Sequence, residues 1–356
     1  MNFMPSRPSE RSDGTILLTY EEVRRRIRDK RSYLLLGNGF SIACDPVFRY
    51  GSLYQAAVKA GLSRRAQLLF QRYGTNNFEG VMKLLDGSDW VARTYGLVKN
   101  KSSGMAEDLE VIKGTLVTAI SSSHLETPGD IVDGRKTSTA KFLEPFHVVF
   151  TTNYDLLLYW VVMHAGDPPP FEDCFRADQD EPDVHYLVFS QRLKDKRGLL
   201  YLHGALHLYL HNGELRKHTW TRSGQRLTEL IRDGFAKGQY PLFVAEGSPE
   251  KKLEQIQGNG YLWYCLDKLR NIESPLVVFG HSLGPSDNHI SDAIVAARKL
   301  PTLIVGLHGD LNSKENQATR MRVQQIADRR AQLPGHPTPL QVFFYDADSA
   351  QVWANS

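Results

Sequence analysis

Four short polar segments in this sequence carry residue types suited to chemistry: Gly37-Asn38-Gly39-Phe40-Ser41, Thr151-Thr152-Asn153-Tyr154-Asp155, His203-Gly204 and Gly280-His281-Ser282-Leu283. Closely spaced glycines let backbone N–H groups approach a pyrophosphate, and a helix that starts there favours its charge. Asn153 and Asp155 have short polar side chains that suit a ribose or a held water. A neutral histidine such as His203 can take a proton from a sugar hydroxyl or a water near neutral pH. Each segment taken singly also has an ordinary structural reading. Gly37–Ser41 would serve as a tight strand-to-helix turn, since Ile42 stands where the third glycine of the dinucleotide fingerprint belongs. Asn153 and Asp155 would serve as helix caps, and His203 as a buried structural histidine.

Each segment follows a short apolar run. Tyr33–Leu36, Val148–Phe150, Leu199–Leu202 and Leu276–Phe279 read as strands buried on both faces, as do Thr302–Val305 and Gln341–Tyr345. Helical patterns lie between them, at Leu156–His164, His289–Lys299 and Asn316–Ala331. That alternation predicts an α/β fold, a Rossmann-like, doubly wound, mostly parallel sheet. Ligands of such sheets bind at the carboxyl ends of the strands. A parallel sheet would therefore carry all four polar segments to one edge. Residues 1–18 read as a flexible N-terminal tail, with Thr19 and Glu22 spaced as a capping box. Residues 19–350 form the main domain, with a helical insertion at about 53–140 and a second insertion at about 208–272; 166–198 reads as loop.

Composition narrows the function classes. The chain has 356 residues, 41% hydrophobic and 23% charged, with a net charge of +3. That charge gives no case for nucleic acid, and the run Arg24 to Arg31 reads as a solvated helix face. Cys44, Cys174 and Cys265 are scattered, so neither a structural zinc site nor a disulfide framework is expected. No metal is expected, and the cysteine usage suits a reducing cytoplasm. No apolar run approaches the roughly 20 residues a membrane span requires.

Taken together and in order, these segments resemble the sirtuin-like family. The family's Gly-Ala-Gly-hydrophobic-Ser turn is similar to Gly37–Ser41, its Pro-x-Phe-Arg element to Pro46-Val47-Phe48-Arg49, and its Thr-Gln-Asn-Ile-Asp to Thr151–Asp155. Its His-Gly matches His203-Gly204, and its Gly-x-Ser-Leu turn matches Gly280–Leu283. The resemblance spans roughly residues 33 to 348 and is strongest to bacterial sirtuin-like proteins of anti-phage defence, some of which degrade NAD. It implies a catalytic set of Asn153, His203 and Asp155. Asn153 would position the ribose or the attacking water, His203 would act as base, and Asp155 would orient the nicotinamide end. It also implies a cofactor-binding set of Gly37, Asn38, Gly39, Phe40, Ser41, Phe48, Arg49, Thr152, Gly280, Ser282, Leu283 and Asp287. The four-cysteine zinc module of sirtuin deacylases is missing, Asn38 replaces alanine and Thr152 replaces glutamine. These departures favour NAD+ hydrolysis over deacylation. The expectation is thus an NAD+ glycohydrolase with NAD+ as substrate, gated by a regulatory partner protein, a homo-oligomer or a nucleotide signal.

Two rivals stand beside it. Gly280-His281-Ser282-Leu283-Gly284 also fits G-x-S-x-G, which would make Ser282 the nucleophile of an α/β-hydrolase with Asp310 and His336 as partners. The other rival is a nucleotide sensor that binds without turnover, since binding and catalysis share most of these residues.

Overall fold

The computed structural model describes residues 17–48, 52–74, 78–98, 104–122, 124–179, 184–190, 193, 196–237, 239–244, 249–335 and 337–355. Its strands are β1 Leu17–Leu18, β2 Tyr33–Leu36, β3 Val148–Thr151, β4 Phe175–Arg176, β5 Tyr186–Phe189, β6 Gly198–Tyr201, β7 Gly204–His211, β8 Glu214–His218, β9 Pro241–Phe243, β10 Leu276–Phe279, β11 Thr302–Leu307 and β12 Gln341–Asp346. Seven form one sheet in the order β1-β12-β11-β10-β2-β3-β6, with every neighbouring pair parallel. All six strands expected from apolar runs lie in it. Their residues are apolar at consecutive positions because both faces are covered: Leu34, Leu35, Leu36, Val277 and Val278 are fully buried.

The chain leaves β2 toward β3 and β6, then crosses to β10, β11 and β12 on the other side. The direction of winding therefore reverses between β2 and β10. That is where an open α/β sheet leaves a crevice at its carboxyl edge.

The N-terminus differs from expectation. Leu17 and Leu18 pair with Phe344 and Tyr345 as the sheet's edge strand, so the tail does not extend to residue 18; residues 1–16 lie outside those described. The capping box forms, with Thr19 Oγ1 accepting from the Glu22 amide and Glu22 accepting from the Thr19 amide. Four helices, Ser52–Lys59, Arg64–Tyr73, Phe78–Thr94 and Gly104–Ser122, make the first insertion. Phe70 and Phe78 pack against each other between its helices, 4.9 Å between ring centres, in a core continuous with that of the sheet. The next helix, Asp133–Leu143, belongs to the main domain, where Phe142 packs on Phe279 of β10.

The second insertion starts earlier than its polar hairpins suggest. A five-stranded antiparallel sheet, β4-β5-β8-β7-β9, takes two strands from the stretch read as loop. β4 is only two residues long and β5 is a four-residue apolar run, Tyr186-Leu187-Val188-Phe189, inside a charged stretch, so no alternation marks either. The helix Gly260–Arg270 belongs to the main layer instead, its Tyr261 hydroxyl accepting from the Tyr201 amide of β6.

Candidate functional site

The turn after β2 and the turn after β10 are pressed together. The Gly37 amide donates to Phe279 O at 3.0 Å, and the Gly39 amide to Gly280 O at 2.8 Å. A Cβ on Gly39 would sit 2.5 Å from Gly280 Cα, and one on Gly280, whose φ is +67°, 2.6 Å from the Phe40 amide nitrogen. Three glycines are thus required by the approach of two backbones. Their role is first the tight turn. The amides of Gly37, Gly39 and Phe40 are satisfied by protein carbonyls, so they do not form a ready phosphate cradle.

The helix Asn38–Cys44 carries Ser41 inward from this turn. Its fixed position comes partly from residues late in the chain: the Trp353 ring packs at a tilt against Phe40, 5.1 Å between ring centres, and donates from Nε1 to Phe40 O at 2.8 Å. The turn after β3 faces it. Thr152 donates through its amide to Leu36 O at 3.0 Å. Asn153 donates from Nδ2 to Gly37 O at 3.0 Å and to Ser41 Oγ at 2.8 Å. Ser41 Oγ in turn donates to Asp155 Oδ2 at 2.5 Å, and Asp155 Oδ1 accepts from the Leu157 amide at 2.9 Å. Both donors of the Asn153 amide face fixed acceptors, so its Oδ1 is identified as the free acceptor, buried and without a partner. Burial pushes the Asp155 carboxyl above its ordinary value, against the opposing effects of His124 and the Ser41 hydroxyl.

His124 is a residue that sequence reasoning missed. It follows the last helix of the first insertion and returns that insertion to the site. Its Nδ1 donates to Leu125 O and its Nε2 accepts from the Leu156 amide at 2.9 Å. Its ring meets Phe48 and Trp160 edge-on. Nothing local marks it, because its partners lie on other elements.

His203 occupies the corner where the chain passes from β6 of the large sheet into β7 of the small one. Gly204 turns that corner at φ +74°, and a Cβ there would lie 2.0 Å from Leu242 O. His203 Nε2 lies 2.8 Å from His289 Nε2 and 4.0 Å from Asp287 Oδ1. Lys252 Nζ lies 2.8 Å from the same Asp287 oxygen, and His281 Nε2 lies 3.7 Å from the other. In the sheet, β10 and β6 are separated by β2 and β3. That is roughly 14 Å at the usual strand spacing. The segment after β10 must therefore run across the carboxyl ends of β2 and β3 to bring Asp287 and His289 against His203. Burial lowers His203, His281 and His289, the last to about 4, so all three are neutral at pH 7. Burial opposes ionisation of Asp287, but the facing imidazoles and the Lys252 ammonium outweigh it and hold the carboxyl well below its usual range.

The structure therefore gathers Gly37, Gly39, Ser41, Thr152, Asn153, Asp155 and Gly280 in one network, and His203 with Asp287 in a second on the same edge. Asn38 donates from Nδ2 to Phe48 O at 3.0 Å, which ties Phe48 to the turn. Arg49 lies outside the described residues. Ser282 is exposed, and Leu283, buried at φ +50°, donates its amide to His281 Nδ1. The hydrolase arrangement does not assemble around Ser282. Left-handed backbone falls on Gly280 and Leu283, not on Ser282, and the helix begins only at Asn288, whereas an elbow serine sits at the helix mouth. Asp310 is exposed, with Oδ1 taken by the Asn312 amide, and His336 lies outside the described residues. The three cysteines are buried and free. Among the described residues no helix is long and apolar enough to cross a membrane.

The family described as Domain of unknown function (DUF4917) matches residues 34–353. The chain belongs to this family. The match takes in every strand of the DUF4917 sheet from β3 to β12, and all four polar segments. No curated protein matches the chain.

Proposed function

We propose that this DUF4917 member has a sirtuin-like site and hydrolyses NAD+ to nicotinamide and ADP-ribose. The observation that carries this reading is Asn153. Its amide is locked through Nδ2 at the crevice between β2 and β10, with Oδ1 left open beside the buried Asp155. That is the acceptor a ribose hydroxyl or an attacking water requires. The bond broken is that between the ribose C1′ and the nicotinamide nitrogen. Nicotinamide leaves with the bonding electrons and becomes neutral, water oxygen bonds to C1′, and the water proton passes to the neutral imidazole of His203. Fixed dipoles in a dry site favour the oxocarbenium-like transition state, and a held water removes the entropy cost of its capture. The pyrophosphate would lie beside the Gly37–Ser41 and Gly280–Ser282 turns, where Ser282 is exposed.

Asn153 and His203 are only 2% and 5% exposed. A chain closed over its reacting groups suits an effector whose turnover is gated. By the same resemblance we propose a role in bacterial anti-phage defence, with a partner protein, self-association or a nucleotide signal opening the site. The test measures NAD+ loss and nicotinamide release by wild type, Asn153→Ala, His203→Ala and Ser282→Ala, with and without lysate from infected cells. Turnover lost in the first two variants and only weakened in the third is the expected result. Saturable NAD+ binding without nicotinamide release in any condition would replace the enzyme with a nucleotide sensor.

A further inference from the structure

We propose that His203, Asp287 and His289 form a binding site for a divalent transition-metal ion of the zinc class. One donor atom from each lies within 4.8 Å of the other two. The three come from two segments far apart in sequence, and both histidines are buried. Two imidazoles with a carboxylate make a nitrogen-and-oxygen donor set that suits zinc, cobalt or iron over magnesium or calcium. A fourth position is left for water.

The present contacts sit close to what such an ion needs. Bonds of about 2.0–2.2 Å place the donors of a tetrahedral site about 3.3–3.5 Å apart. The observed 2.8 Å between the two imidazole nitrogens and 4.0 Å from His203 to Asp287 straddle that spacing. Shifts of under about 1 Å would seat the ion. As a plain hydrogen bond the histidine pair is a poor solution, because His289 Nδ1 remains buried and unpartnered whichever ring donates. His281 supplies the surrounding shell. The Leu283 amide donates to its Nδ1, so its Nε2 carries a proton, is buried without a hydrogen-bond partner, and points toward Asp287 Oδ2 at 3.7 Å. Groups that orient a ligating carboxylate in this way tune metal sites. Lys252 opposes the ion by its charge. It occupies one lone pair of Asp287 Oδ1 and leaves the carboxylate's others.

The site shares His203 with the proposed hydrolysis but does not rest on it. An ion on His203 would withdraw the lone pair that accepts the proton, so the two uses exclude each other. The test titrates the metal-free full-length chain with Co²⁺ and Zn²⁺, reading visible cobalt absorption and bound zinc after dialysis. Expected are one ion per chain, a tetrahedral cobalt spectrum, and affinity weakened at least about tenfold by Asp287→Asn and by His289→Gln, with far-UV circular dichroism unchanged. Lys252→Gln, which keeps all three donors, should bind more tightly, and it carries the test if the ligand variants fail to fold. Absence of the spectrum in both wild type and Lys252→Gln would overturn the proposal, as would undiminished affinity in folded Asp287→Asn and His289→Gln. Nicotinamide release is therefore assayed on the metal-free chain: metal binding with no release from the metal-free chain in any condition leaves this site standing and removes the NAD+ reading, and release from a chain that binds no metal does the reverse.

Discussion

Asn153 ties the turn after β3 to the turn after β2 through both donors of its amide. Asn153→Ala leaves Gly37 O and Ser41 Oγ short of a buried donor, which should cost about 1–3 kcal/mol. Urea unfolding at pH 7 would measure it, and it must be measured before loss of turnover in that variant is ascribed to chemistry. A second consequence at this scale concerns His218. Its ring stacks on Tyr209 at 4.2 Å, and burial, with Lys237 nearby, lowers its pKa from 6.5 to about 4. It is therefore neutral in the fold and readily protonated in the unfolded chain. Its contribution is complete above pH 6.5 and is lost as the pH falls toward 4, a change on the order of 2–3 kcal/mol. Comparing urea midpoints at pH 7 and pH 5 should show a smaller drop in His218→Gln than in wild type. An equal drop would mean that other groups carry the acid sensitivity.

At the scale of elements, the glycines of the two central turns serve contact between strands β2 and β10 before they serve any ligand. Gly39→Ala would drive a methyl into Gly280 Cα, 2.5 Å away and part of the backbone. It should destabilise by roughly 1–3 kcal/mol. Gly87, inside the helix Phe78–Thr94, has nothing within 4 Å of an added Cβ. Gly87→Ala should stabilise by about 0.5–1 kcal/mol, through helix propensity alone. Opposite signs in one denaturation series would separate a glycine held by packing from one that merely weakens a helix. Destabilisation by both would show that the first insertion is more tightly packed at Gly87 than its open surface implies.

Across the whole molecule, burial is uneven. The strands β2, β3, β10 and β11 are covered on both faces, whereas the first insertion exposes Trp90, Tyr95 and Leu97. Local opening free energy follows such differences. Hydrogen exchange should therefore be slowest in those four strands and faster in the helices between Ser52 and Ser122. If the insertion opens independently, His124 goes with it, and the contacts of Asp155 with the rest of the site loosen. Uniform exchange across sheet and insertion would instead mean that the chain opens as a single unit.

The sequence by itself determined the parallel sheet, because strands buried on both faces must be apolar at every position, and such runs are visible in Tyr33–Leu36 or Leu276–Phe279. It also determined that the polar strand ends share an edge, since parallel strands point their carboxyl ends one way. It left open what the edge residues do. The glycines looked like a phosphate cradle, but the approach of Gly39 to Gly280 is a contact between turns more than two hundred residues apart, invisible to any local pattern. The strands β4 and β5 were hidden because one is two residues long and the other four without alternation, and the pairing that makes them strands comes from partners elsewhere in the chain. His124, Lys252, His281 and His289 were brought to the site by an insertion, a helix and a loop that crosses over two strands. Only tertiary structure decides such placements, because they depend on where distant elements pack.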